Sequence, residues 1–108
     1  MATARLARID LPDFGPRGPA PEIPLDLYAA RLEQLRERAD RRGYERLVVY
    51  ADREHSANLA FLTGFDPRFE EALLVVGRED EPAILVGNEC WGMAGAAPCR
   101  CDATCSRT

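Results

Sequence analysis

Hydrolytic metal chemistry needs several His, Asp, Glu or Cys side chains converging on one point, and this 108-residue sequence holds one histidine, His55. Its acids Asp52, Glu54, Asp66, Glu70 and Glu71 fall in expected connections. None belongs to a HExxH pairing, which would set two donors on one helical face. The expectation is therefore no di-metal site and no metal cofactor within this chain. His55 beside Ser56 is not a base–nucleophile pair, because consecutive side chains point apart. No GxSxG elbow occurs, and Gly92-Met-Ala-Gly95 lacks the Lys and Ser/Thr of a phosphate loop.

The cysteines are the second candidate for chemistry. Cys90 stands apart, while Cys99, Cys101 and Cys105 crowd the last ten residues. Cys99-x-Cys101-x3-Cys105 with Cys90 as fourth donor reads as a thiolate metal clip. It reads equally as a redox-labile, poorly ordered tail. Zinc sites use CxxC-type knuckles with a second pair elsewhere, which this spacing does not supply, so a small Cys-rich metal-binding protein stays an alternative.

Composition narrows the partners. Apolar residues make up 46% and charged residues 30%, as in an ordinary globular protein. Eighteen acids face 14 bases, a net charge of −4. That balance lacks the basic excess that tracks phosphates, so nucleic acid is not an expected partner. No apolar run approaches the roughly 20 residues that span a bilayer. Met1 to Asp10 has no apolar core of a signal peptide. A cytoplasmic chain without membrane contact is expected.

The elements that position these residues follow from spacing. The length suits one small domain. Five prolines within residues 1–24 exclude helix and ladder there and predict an arm, with Leu11, Phe14 and Ile23 as contacts it could offer. Leu25, Tyr28, Leu32, Leu35 and Ala39 recur at helical steps and predict a helix over 25–42, stopped by Gly43. Residues 46–50 read as a buried strand. Ser56 is the expected N-cap of a short helix over 57–62, with Gly64 as its stop. Residues 65–70 read as a charged loop with two aromatics. Strands are expected over 72–76 and 83–86 as a hairpin, and a weak helix within 88–96. Helix and strand alternate as in an α/β layer with a small mixed β-sheet and flanking helices. A sheet so thin leaves an edge open to aggregation or oligomer formation.

The run from Val48 to Val76 resembles the amino-terminal domain of the creatinase, prolidase and Xaa-Pro aminopeptidase family. Its most recognisable part is Asn58-Leu-x-Phe-Leu-Thr-Gly-Phe65 before an apolar strand. Pro21-Glu-Ile-Pro24, the helix Tyr28-x2-Arg31-Leu32-x2-Leu35 and Gly43-Tyr-x2-Leu-Val-Val also resemble that family, so the likeness runs from about Pro12 to Pro98. It implies a ribonuclease H-like domain, here incomplete, ahead of a carboxy-terminal metallopeptidase domain that holds two divalent metal ions. None of that domain's ligand motifs occurs here, so no catalytic residue carries over and the chain is expected to be inactive alone. The likeness implies subunit contact, or a wall over a neighbouring active site, from Phe65, Asp66, Arg68 and Phe69. Arg68 would meet a substrate carboxylate as a planar fork. The plainer reading of the same loop is a solvated turn with a core-facing Phe. The expected partners are a second copy or a full-length paralogue, the latter making the chain a stand-alone interaction module.

The domain reading is thus an arm at 1–24, a creatinase-type α/β domain at 25–98, and a disordered or frame-shifted tail at 99–108. The tail breaks the family pattern. Encoded with G+C-rich codons, its neighbouring frame from Pro98 reads Leu-Pro-Met-Arg-Arg-His-Leu-Phe-Gln-Asp, free of cysteine and similar to the family's continuation. The expectation is that the chain leaves an ancestral frame near Pro98 and then terminates, in which case the clustered cysteines are not ligands.

Overall fold

The computed structural model describes residues 1–16, 18–99 and 101–105. Helix α1 (Leu25–Arg41) turns Tyr28, Leu32 and Ala39 into the core and half-buries Leu35, while Leu25 stays exposed. It ends in a Schellman closure: Tyr44 N–H donates to the Ala39 carbonyl (3.0 Å) and Gly43 N–H to that of Asp40 (2.9 Å). Gly43 takes the left-handed φ of 74° that this closure needs. The stop predicted at Gly43 therefore holds.

Strand β1 (Arg46–Ala51) leads through helix α2 (Ala57–Thr63) to strand β2 (Ala72–Gly77), and a short turn leads to strand β3 (Ala83–Val86). Both pairings, β1 with β2 and β2 with β3, are antiparallel. One-turn helix α3 (Trp91–Ala94) then precedes strand β4 (Asp102–Cys105), which runs parallel to β3. The order β1-β2-β3-β4 makes the mixed sheet with flanking helices that the sequence predicted. Ser56 does sit at the N-cap of α2, but its hydroxyl makes no capping bond there.

Strand β4 corrects the three-strand sheet read from the sequence, and it falls within 99–108, the segment expected as a disordered or frame-shifted tail. Asp-Ala-Thr-Cys carries no apolar run. Its strand comes from pairing Ala83 with Asp102 through Val86 with Cys105, and Asp102 N–H also donates to the Pro82 carbonyl at 2.8 Å. Arg100 and residues 106–108 of that tail lie outside the described residues.

The sheet has two unlike faces because side chains alternate along each strand. Ala72, Leu74 and Val76 with Ile84 and Val86 point to the face that carries the helices, where Tyr28, Leu32, Leu59, Leu62 and Ala94 close over them. Val48 and Tyr50 on β1, with Leu73, Val75 and Leu85, point to the other face and stay exposed or half-exposed. Arg36 straps α1 to the β2–β3 turn through hydrogen bonds to the carbonyls of Gly77 (3.1 Å) and Asp80 (2.6 Å). The proline-rich arm lies exposed along its described length, Leu11 and Phe14 included. It stretches the molecule to 64 Å in its longest dimension. No helix among the described residues is long and apolar enough to cross a membrane.

Candidate functional site

Chemistry-bearing residues gather at one end of the sheet, where β1 finishes, β2 begins and β3 finishes. Antiparallel pairing of Ala51 with Ala72, and of Ala72 with Val86, brings the segments after β1, before β2 and after β3 together. They frame an open cleft of about 560 Å³ lined by Asp52, Arg53, Phe69, Glu70, Glu71, Gly87, Asn88 and Glu89. A smaller cleft of about 420 Å³ adjoins it, lined by Arg53, Asp66, Arg68 and Phe69.

Each wall is fixed by local chemistry. After β1, the Asp52 carboxylate Oδ1 accepts the backbone N–H groups of Glu54 (2.9 Å) and His55 (2.7 Å), and the His55 ring nitrogen lies 3.0 Å away. Burial by itself raises the Asp52 carboxyl, but the amides of His55 and Glu54 and the His55 ring outweigh it and hold it below the ordinary range. Tyr50 donates its hydroxyl to Asp52 Oδ2 at 3.3 Å. Partial burial, and then the Asp52 charge, push that phenol up.

Before β2, the wall is set by the end of α2. Gly64 adopts φ 75°, and a Cβ there would stand 2.7 Å from Pro98 Cγ and 3.0 Å from the Tyr28 hydroxyl. The predicted stop at Gly64 is thus also a point of close packing. Thr63 is fully buried and fully used. Its hydroxyl donates to the Leu59 carbonyl (2.7 Å) and accepts the Phe65 N–H (3.1 Å). Pro67 is buried, and its carbonyl accepts the Glu70 N–H at 2.9 Å, closing a turn that thrusts Arg68 and Phe69 outward. Glu70 Oε1 in turn accepts the Cys90 N–H at 2.8 Å and ties this loop to the start of α3. Gly87 admits that carboxylate, because a Cβ at Gly87 would overlap it.

The four loop residues singled out in the sequence therefore separate. Phe65 is 4% exposed and belongs to the core cluster, so its ring is not on offer to a substrate or subunit. Asp66, Arg68 and Phe69 are exposed, with Phe69 at 65%. The sequence offers no means of telling the two phenylalanines apart, since both flank the same Asp-Pro-Arg. It passes over Arg53, Asn88 and Glu89; Arg53 is far in the chain from the adjacent pair Asn88-Glu89 and meets it only through strand pairing. Another cation outside the predicted set is Arg31, whose guanidinium lies 4.0 Å from the Phe61 ring centroid and donates to the Phe61 carbonyl at 2.8 Å.

The cysteines do not assemble as a four-thiolate clip among the described residues. Cys90 is fully buried at the start of α3, where burial pushes its thiol up. Cys99 and Cys101 do meet, with sulfurs 2.7 Å apart. Hydrogen bonding from Cys101 lowers the Cys99 thiol, and the same contact raises that of Cys101. The Cys105 side chain lies outside what is described. Among the described residues no three His, Cys, Asp or Glu side chains converge to hold an ion. The cleft can present carboxylates beside Arg53, and the smaller one two guanidinium groups and the Asp66 carboxylate beside an exposed aromatic ring.

Neither a family model nor a curated sequence relative matches the chain. Solved structures do. The creatinase/prolidase amino-terminal domain of an X-Pro dipeptidase from Streptococcus pyogenes superposes with a TM-score of 0.54 at 23% identity, over 71% of this chain and 58% of that one. Dipeptidase PepE from Mycobacterium ulcerans gives a TM-score of 0.59 at 16% identity, over 80% of this chain and 24% of its own. At such identities the likeness establishes the fold, that of a creatinase/prolidase amino-terminal domain. The chain matches about a quarter of the length of the mycobacterial dipeptidase.

Proposed function

We propose that this chain is an amino-terminal α/β domain of the Xaa-Pro dipeptidase kind, acting in substrate enclosure or subunit contact, with hydrolysis residing in a different polypeptide segment. The observation that carries the reading is the fold match to the amino-terminal domain of an X-Pro dipeptidase. The order of sequence features from Pro21 to Val76 supports it from the other side. The donor set argues in the same direction, since the carboxylates at the sheet end are spent on backbone amides or spread along an open cleft. In this reading the two hydrolytic metal ions are held by a carboxy-terminal domain and none by this one.

The working surface of the domain is the loop Asp66–Phe69. Arg53 and Arg68 line the smaller cleft together with Asp66 and the exposed Phe69 ring. Planar guanidinium groups pair with a carboxylate through two parallel bonds, and an aromatic face accepts an apolar ring such as that of proline. A dipeptide ending in proline presents both groups. Turnover of a Xaa-Pro dipeptide by the purified chain, supplied with Mn²⁺, Co²⁺ or Zn²⁺, tests the assignment. The expected result is no hydrolysis above the metal-only control, and sustained turnover would overturn it.

A further inference from the structure

Strand β1 ends the sheet on one side, pairing with β2 and with no other strand among the described residues. An edge of six residues without proline or glycine is a template for another strand. We propose that β1 pairs antiparallel with β1 of a second copy of this chain about a two-fold axis through Val49, giving a dimer with a continuous eight-stranded sheet. The proposal stands on β1 alone and does not depend on the family reading above.

The charge pattern selects the occupant and the register. A two-fold antiparallel pairing matches residue i with j at a constant sum. That sum must be even here, so that paired side chains share a face. Centring the axis on Val49 sets Arg46 against Asp52 of the partner subunit, and Val48 against Tyr50 of the partner subunit. Each contact occurs twice by symmetry. Beyond the strand, Glu45 comes opposite Arg53 of the partner subunit. The order Glu45-Arg46 before the strand and Asp52-Arg53 after it is thus complementary to its own reverse. Moving the axis by one residue either way sets Arg46 against Tyr50 of the partner subunit, or Val48 against Asp52 of the partner subunit. The first shift keeps a Val48 self-pair but leaves Arg46 without an acid opposite, and the second keeps a Tyr50 self-pair but sets an apolar side chain against a carboxylate twice; only the axis at Val49 satisfies the apolar and the Arg46–Asp52 pairings together.

The residues concerned are available. Val48 is 60% and Tyr50 52% exposed, and Arg46 makes no ion pair among the described residues. Asp52 already accepts the Glu54 and His55 amides, faces the His55 ring and accepts the Tyr50 hydroxyl; the last contact, 3.3 Å on Oδ2, is the longest and is the one a partner guanidinium would replace. The opposite edge, β4, is four residues long and lacks such a pattern.

Sedimentation equilibrium of the full chain across a range of concentrations tests the pairing. A dimer is expected, weakened by salt because its rim is ionic. Arg46→Asp sets like charges against each other twice and is expected to weaken association by about tenfold or more. The double exchange Arg46→Asp with Asp52→Arg restores opposite charges and should recover the dimer. Because Asp52 also orders the following turn, the pair Glu45→Arg and Arg53→Glu provides the same loss and rescue without touching it. Val49→Cys should cross-link to its own copy under mild oxidation, identified by mass spectrometry of the peptide joined through position 49. A chain that stays monomeric at all concentrations overturns the proposal. So does a dimer indifferent to both single reversals and without the cross-link.

Discussion

The two faces of the sheet differ in what encloses them. On one face, Leu74, Ile84 and Val86 are at most 1% exposed beneath three helices. On the other, Val48 and Tyr50 of β1 are more than half exposed, and Leu73, Val75 and Leu85, which share β2 and β3 with the first three and are as apolar, stay half-exposed. The difference teaches that residue type does not separate the stabilising side of this domain from its available side. Helix placement does.

Substitutions break this comparison in order of size. Leu74→Ala removes a fully buried side chain from the closed face and is expected to cost about 2–5 kcal/mol, read as a lower urea midpoint at unchanged slope. Gly64→Ala forces a Cβ into left-handed backbone against Pro98 and Tyr28. It is expected to cost about 1–3 kcal/mol, read the same way. Val48→Thr on the open face should fall within about 0.5 kcal/mol. If it cost as much as Leu74→Ala, the contrast between the faces would collapse.

A smaller, pH-dependent effect sharpens the comparison at the sheet end. The Asp52 carboxyl is held below its ordinary value, so its contribution is complete above the unfolded value of about 3.9. That contribution is lost as pH falls through the lower folded value. The difference in melting temperature between the native chain and Asp52→Asn should therefore be constant above about pH 4.5 and shrink in more acidic buffer. A difference that grows on acidification would refute the assigned hydrogen bonds.

Much of the fold was legible because its signals are local. The Leu25 to Ala39 periodicity, the runs 46–50, 72–76 and 83–86, and the stops at Gly43 and Gly64 each report their own element. Strand β4 was not legible, since Asp-Ala-Thr-Cys becomes a strand through a neighbour some twenty residues earlier. The site was half legible for the same reason. The Phe65–Phe69 loop announced itself by composition. The burial of Phe65, and the meeting of Arg53 with Arg68 and of Glu70 with the Cys90 amide, required the sheet to be assembled first.

The central claim is that this domain shapes a site without holding the hydrolytic ions. Equilibrium dialysis of the purified chain against Mn²⁺ at neutral pH tests it most directly. The account predicts no stoichiometric uptake, because no three donors converge among the described residues. Two tightly held Mn²⁺ ions per chain would contradict it.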